Sequence, residues 1–377
     1  MKTILFAETG RLRACFCSTA RQAVVLCMTL FFSLCVLWGC ESEGDTEEKT
    51  VSGFAFDTAY SITVYEGGSQ KILNDCVSKC SEYENIFSRT LEDSELYQIN
   101  EIERLYGQFG DEQGIRDNRS EKNDMEFEIR EDKSLACDIS ENMYDILERG
   151  IYYGRESDGA FDITIAPVTS LWDFTGENPS VPPEDELGEA VKRVDYQKIS
   201  LEDGRVVFQE PSMALDLGGI AKGYIADALK DYLTENGVKS GMINLGGNVL
   251  CIGKKPDGKP FHIGVQQPFA DRNETVAVVD VEDKSVVSSG IYERCFTGED
   301  GRLYHHILNP KTGYSFDNEL MAVTIISDKS VDGDGLSTSC FSMGLAEGMA
   351  YINSLDGVEA LFITEDEKLH YSAGWEE

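Results

Sequence analysis

The chain has 377 residues, enough to bury a large core in one or two domains. Hydrophobic residues at 41% and charged residues at 27% are ordinary for a globular protein, but a formal charge of −35 is not. That balance argues against nucleic-acid binding, because no basic patch is present to neutralise a phosphate backbone. It also means that any phosphate site must rely on a metal ion or on backbone N–H groups.

Lys2, Arg11, Arg13 and Arg21 precede a 17-residue apolar run from Ala23 to Gly39. Length and flanks suit a signal peptide over residues 1–39 and fall slightly short of a spanning helix. The run ends in Leu37-Trp38-Gly39-Cys40 and resembles a bacterial lipoprotein lipobox. The resemblance implies cleavage before Cys40, lipidation of its sulfur, and an extracytoplasmic protein lipid-anchored to the bacterial cell membrane. An uncleaved signal anchor is the alternative, and it leaves the folded part extracytoplasmic as well. Residues 40–50 then read as an acidic tether, and 51–377 as one compound domain.

Phe54–Tyr65 has the apolar and β-branched residues of a strand, and Ser69–Glu84 those of an amphipathic helix. Ser94–Asn100 starts another short helix. Residues 103–132 are acidic and show no clear period, so they read as an inserted surface loop. Ser140–Arg155 is helical, with Ser140 as its cap. Asp158-Gly-Ala-Phe-Asp162 is a turn running into an apolar segment, and a strand pair flanks Asp203-Gly204. A helix is expected from Lys222 to Asn236, and strands over Met242–Leu250, Phe261–Gln266, Thr275–Val281 and Met321–Ile326. A helix over Ser337–Ser354 and a strand over Ala360–Thr364 close the chain. Strands outnumber helices and do not alternate with them, which predicts an α+β fold with mixed or antiparallel sheets flanked by helices.

Three constellations could carry chemistry. Leu217-Gly218-Gly219-Ile220-Ala221-Lys222-Gly223 follows a strand-like run and opens a helix, where glycines let a ligand approach and N–H groups face it. It matches neither a Walker A loop nor GxGxxG, and taken alone a plain tight turn is the favoured reading. Asp334, Ser337 and Thr338 offer hard oxygens at i, i+3 and i+4, a set that suits Mg²⁺, although Asp334 could instead cap the helix. His305 and His306 precede the turn Asn309-Pro310-Lys311-Thr312-Gly313, and on a strand such a pair points to opposite faces. No serine or cysteine nucleophile accompanies them at a readable spacing. Asp158 and Asp162 are either turn formers or a ligand contact. Outside the leader, Cys76, Cys80, Cys137, Cys251, Cys295 and Cys340 form no zinc pattern; disulfides and buried thiols are both open.

The order of motifs resembles the ApbE family of FAD:protein FMN transferases. The resemblance rests on Phe56-Asp57-Thr58-Ala-Tyr60, Ser94-Glu95-Leu96, Asp158–Asp162, Leu217–Tyr224, Asn244–Gly247, Ser288-Ser289-Gly290, His306–Gly313 and Asp334–Thr338, and spans about residues 51–375. It implies Mg²⁺-dependent transfer of FMN from FAD to a threonine of an acceptor flavoprotein through a phosphoester, with release of AMP. It also implies that Gly219, Asp334 and Thr338 hold the magnesium. Phe56, Ser94, Glu95, Leu96, Asp162, Lys222, Ser289 and Gly290 then contact FAD, and His306 is the catalytic base, with His305 structural. Acceptors of this kind include domains of Rnf- or Nqr-type complexes. Phe56-Asp57 stands where the family has Met-Gly, and Gly335 where it has alanine. Two competing readings are a FAD pyrophosphatase yielding FMN and AMP, and a non-catalytic flavin- or solute-binding lipoprotein.

Overall fold

The computed structural model describes residues 48–176, 178–271 and 274–375. The expected signal peptide, Cys40 and most of the tether lie outside the described residues. The end of the tether does not: Lys49 and Thr50 already pair with Val64 and Thr63.

An eight-stranded antiparallel sheet organises the molecule. Its strands are β1 (Lys49–Ala55), β2 (Thr58–Glu66), β7 (Ser240–Leu245), β8 (Asn248–Ile252), β11 (Ser285–Gly290), β14 (Leu320–Ser327), β15 (Glu359–Thr364) and β16 (Leu369–Tyr371), side by side in that order. The remaining strands form a four-stranded sheet, β3 (Phe127–Ile129), β4 (Leu135–Asp138), β6 (Arg205–Phe208) and β5 (Ile199–Glu202), and two hairpins. The hairpins are β9 (Phe261–Gln266) with β10 (Thr275–Val281), and β12 (Cys295–Thr297) with β13 (Leu303–His305).

Among the described residues eight α-helices surround the sheets: α1 (Gln70–Phe87), α2 (Glu95–Phe109), α3 (Glu112–Asn118), α4 (Glu141–Glu156), α5 (Ala166–Thr169), α6 (Glu184–Val191), α7 (Ala221–Glu235) and α8 (Ser330–Ile352). Central strands are covered on both faces. Along β14, Val323 and Ile325 join the main core, whereas Ala322 and Ile326 join a second cluster with Phe261, Val265 and Val279 of the β9–β10 hairpin. The two-residue period therefore serves two cores rather than one core and solvent. Among the described residues no helix is long and apolar enough to cross a membrane. All six described cysteines are free thiols, and five of them are buried.

The α+β architecture with antiparallel sheets matches the expectation, and four local readings are corrected. Phe54–Tyr65 is not one strand, because Phe56 and Asp57, both at φ 56°, form a two-residue turn between β1 and β2. Met242–Leu250 likewise folds back at Gly246 and Gly247, whose φ values are 63° and 100°. Residues 103–132 are not a loop: they complete α2 and contain α3 and β3. Leu96, Ile99, Ile102 and Leu105 give α2 an apolar stripe, and Glu103 is buried beside it. Finally, α8 begins at Ser330, so Asp334 lies in its second turn and does not cap it.

Candidate active site

Two helix N-termini meet at the site and hold each other. No side chain of its own cap residue serves α8; instead Asp227 of α7 accepts the N–H groups of Ser330 (2.9 Å) and Val331 (3.0 Å). In the other direction Asp334 of α8 accepts the Gly223 N–H at 2.6 Å, near the start of α7. Its second oxygen accepts from Asn248 Nδ2 at 3.1 Å. Gly223 is required here, because a Cβ would sit 2.3 Å from the Ser330 carbonyl oxygen. Burial pushes both carboxyls up: Asp227 reaches about 6, its two N–H donors opposing the rise. Asp334 also rises through burial, against the Lys222 charge and its two hydrogen bonds.

This junction opens into a cleft of about 360 Å³. Of the residues expected at the site, Asp162, Gly219, Lys222, Ser289, His306, Asp334 and Thr338 all line it. Ser289 Oγ lies 2.8 Å from Ser337 Oγ and 3.3 Å from Thr338 Oγ1, so β11 and α8 present a shared hydroxyl group. Ser337 Oγ in turn donates to the Asp334 carbonyl at 3.1 Å. Asp162 is present but already committed: its carboxylate accepts from the Thr164 N–H, the Thr164 hydroxyl and the Tyr196 N–H. Both Thr164 bonds fall on Oδ1, and Oδ2, bonded to the Tyr196 N–H alone, keeps a free lone pair.

The two histidines divide as expected. His305 is buried; its Nε2–H donates to the Phe316 carbonyl at 3.0 Å and its Nδ1 accepts the Ile307 N–H at 3.3 Å. Burial lowers it to about 4, so it is a neutral structural residue. His306 follows the end of β13 and faces the cleft. Its Nδ1 is buried with no hydrogen-bond partner, which leaves Nε2 as the ring nitrogen open to the cleft. Burial, and then the charges of Arg294, His305 and Lys222, hold His306 at about 3. The imidazole is therefore unprotonated at neutral pH and free to accept a proton.

Five expected contacts do not reach the cleft. Phe56 occupies the β1–β2 turn, half-buried against the main core, with its N–H on Glu84 Oε1 at 2.9 Å. Ser94 caps α2 by accepting the Tyr97 N–H at 3.2 Å, and Leu96 is wholly buried. Glu95 clasps the backbone and hydroxyl of Ser140, each at 2.7 Å, and so anchors the start of α4. Gly290 ends β11 opposite Ala322. None of the five lines the cleft. Gly335 also proves consequential: a Cβ there would lie 2.4 Å from the Tyr153 ring, which fills the space.

Other lining residues went unnoticed in the sequence. Trp172 and Phe174 stack at 5.2 Å and 6° and form an aromatic wall, with Trp172 Nε1 donating to the Gly313 carbonyl at 2.9 Å. Such a wall suits a planar heterocycle. Asp216 pairs with Arg89 at 3.0 Å and accepts from the Thr169 hydroxyl at 2.8 Å, while its other oxygen takes the Gly218 N–H at 2.9 Å. Arg294 and Glu293 add charge to the lining. The Leu171-Trp-Asp-Phe174 run was the available signal for the wall; Arg89 and Arg294 carried none.

The donor set suits a hard cation. Each Asp334 oxygen has one hydrogen bond and so keeps a free lone pair, Thr338 is half-buried, and Gly219 is exposed in the cleft. Among the described residues no group of three or more histidine, cysteine or acidic side chains could hold a metal. That pattern fits an ion such as Mg²⁺, which takes few protein oxygens and completes its shell with water and phosphate.

The family model that matches is the ApbE family, over residues 56–362. A FAD:protein FMN transferase of Treponema pallidum is 34% identical over 251 residues, which is 63% of this chain and 69% of that protein. One from Klebsiella pneumoniae is 35% identical over 237 residues, 62% of this chain and 73% of its own. The crystal structure of the ApbE protein from Thermotoga maritima has a TM-score of 0.71 at 29% identity, covering 87% of this chain and 97% of the other. The flavin transferase ApbE from Vibrio cholerae shares the fold, with a TM-score of 0.72 at 24% identity over 88% and 98% of the two chains.

Proposed function

This chain belongs to the ApbE family, and from that premise we propose that it is an enzyme transferring FMN from FAD to a threonine of an acceptor flavoprotein, with release of AMP. The carrying observation is the meeting of Asp334, Thr338, Gly219 and Lys222 with an unprotonated His306 in one cleft. The FMN transferases of Treponema pallidum and Klebsiella pneumoniae support the same reading.

In this mechanism the aromatic wall of Trp172 and Phe174 receives the isoalloxazine ring of FAD, and Lys222 offsets charge on the pyrophosphate. His306 Nε2 takes the proton of the acceptor threonine. The threonine Oγ–P bond forms at the FMN phosphorus, the P–O bond to the AMP moiety breaks, and AMP leaves with that electron pair. Asp334, Thr338 and the Gly219 carbonyl would hold Mg²⁺, which when bound supplies charge neutralisation on the pyrophosphate. Most of the catalysis is then positioning and electrostatics, and the reciprocal helix caps supply the rigidity it needs.

The test is incubation of the purified chain with FAD, Mg²⁺ and an acceptor domain carrying an Asp-Gly-x-(Ser/Thr)-Gly-(Ala/Thr) target. The acceptor should gain the mass of FMN; no gain refutes the proposal. AMP released at the same rate without acceptor would identify a FAD pyrophosphatase instead. Lipidation at Cys40 would place the enzyme at the outer face of the cell membrane, close to extracytoplasmic acceptors such as domains of Rnf- or Nqr-type complexes. Cys40→Ser should then move it out of the membrane fraction.

A further inference from the structure

The β12–β13 hairpin carries a second cation to the reacting centre. Its register pairs Cys295 with His305, so Arg294 and His306 face each other across the open end of the hairpin. The His306 N–H donates to the Arg294 carbonyl at 3.1 Å, which fixes the two residues together. Both line the cleft. Arg294 is exposed, and among the described residues its guanidinium makes no hydrogen bond or ion pair. That is notable in a chain of net charge −35, where most cations have an acid to meet. Of the cations lining the cleft, Arg89 is held by Asp216, which leaves Lys222 and Arg294. Lys222 acts on both His306 and Asp334, whereas Arg294 acts on His306.

A dinucleotide pyrophosphate carries one negative charge on each phosphate, and two cations placed apart match that distribution. A guanidinium offers a planar fork that suits two phosphoryl oxygens. We infer that Arg294 is a phosphate-binding residue of this cleft, pairing with the phosphoryl group on the His306 side of the pyrophosphate while Lys222 serves the Asp334 side. The inference rests on the FAD reading above and adds a residue to it. Arg294 then offsets charge on the phosphorus that the threonine attacks, next to the base that takes the threonine proton.

The experiment compares FAD with riboflavin, which lacks both phosphates, on wild type, Arg294→Gln and Arg294→Lys. Flavin fluorescence reads the binding. The Gln variant should bind FAD about 10- to 100-fold more weakly, the usual loss for one charge-assisted pair. Riboflavin affinity should be unchanged, and Lys should restore part of the loss. FAD affinity within twofold of wild type overturns the inference, even if KM for the acceptor rises, since Arg294 would then serve the acceptor. Equal weakening of both flavins with a lowered melting point also overturns it, because the residue would then be structural. If wild type shows no preference for FAD over riboflavin, the FAD reading itself fails, and that outcome is separable from the others.

Discussion

Glu103 is the most informative single position for stability. It is wholly buried on α2; one oxygen accepts the Ser212 N–H at 2.8 Å and the other has no partner. Burial raises its carboxyl from 4.5 to about 8, against the backbone N–H groups of Ser212 and Met213. A carboxyl raised in the fold binds its proton more tightly there than in the unfolded chain. Stability therefore falls as pH rises from the unfolded value toward the folded one. Between pH 5 and pH 8 that linkage removes about 3–4 kcal/mol. Glu103→Gln keeps the shape and abolishes the titration. Urea unfolding at pH 5, 6, 7 and 8 should show wild type losing about 3–4 kcal/mol more than the variant across the range. Because the strongly acidic surface shifts both proteins alike, the difference between them isolates Glu103. Parallel curves would refute the argument and would mean that the buried carboxyl finds compensation in the fold. The position also matters to the site. Asn100, one turn earlier, exchanges two hydrogen bonds with the Leu215 backbone at 2.7 and 2.9 Å, so α2 anchors the segment leading to Asp216 and Gly219.

Four further outcomes are expected. His306→Ala should retain FAD binding and lose transfer by about 10²- to 10⁴-fold; loss of binding instead would make the residue structural. With His306 held at about 3, kcat/KM in wild type should stay level from pH 8 down to pH 6, since protonation of this base lies far below. An acid limb near pH 6.5 assigned to His306 by its absence in a variant would contradict that. Asp334→Ala removes the acceptor for Gly223 and Asn248 and should cost about 2–4 kcal/mol of stability, together with the dependence of activity on Mg²⁺. An unchanged melting point would show that the two helices are held otherwise. Trp172→Ala should weaken FAD and riboflavin alike by about 1–3 kcal/mol, the range for stacking on an aromatic ring, as read by flavin fluorescence; undiminished affinity would remove the aromatic wall from the site.

What could be read in advance followed from local pattern and motif order. His306, Lys222, Gly219, Asp334 and Thr338 come from three short segments, and the cleft unites them. What could not be read depended on distance or on packing. Arg89 and Asp216 are 127 positions apart and meet only through the fold. Glu103 breaks the apolar period of α2, because a buried acid looks like an exposed one in sequence, and the pattern there reads as a loop. The start of α8 is hidden for a related reason. Val331-Asp-Gly-Asp-Gly335 reads as a turn, yet its glycines are packing residues: a Cβ at Gly333 would lie 2.5 Å from Val287, and one at Gly335 would lie 2.4 Å from Tyr153. Once the helix starts at Ser330, Asp334 is released from capping its own helix and becomes available to another.

That exchange of carboxylates between α7 and α8 has a consequence for how the protein can change. Each helix begins on an acid carried by the other, so neither can be re-registered, shortened or tilted alone. Substitutions at Asp227 and Asp334 should be strongly non-additive, because the first break already frees the partner contact. The transplantable unit is therefore the helix pair, and a graft that moved Asp334 and Thr338 without Asp227 and Gly223 would carry the ligands but leave behind what aims them.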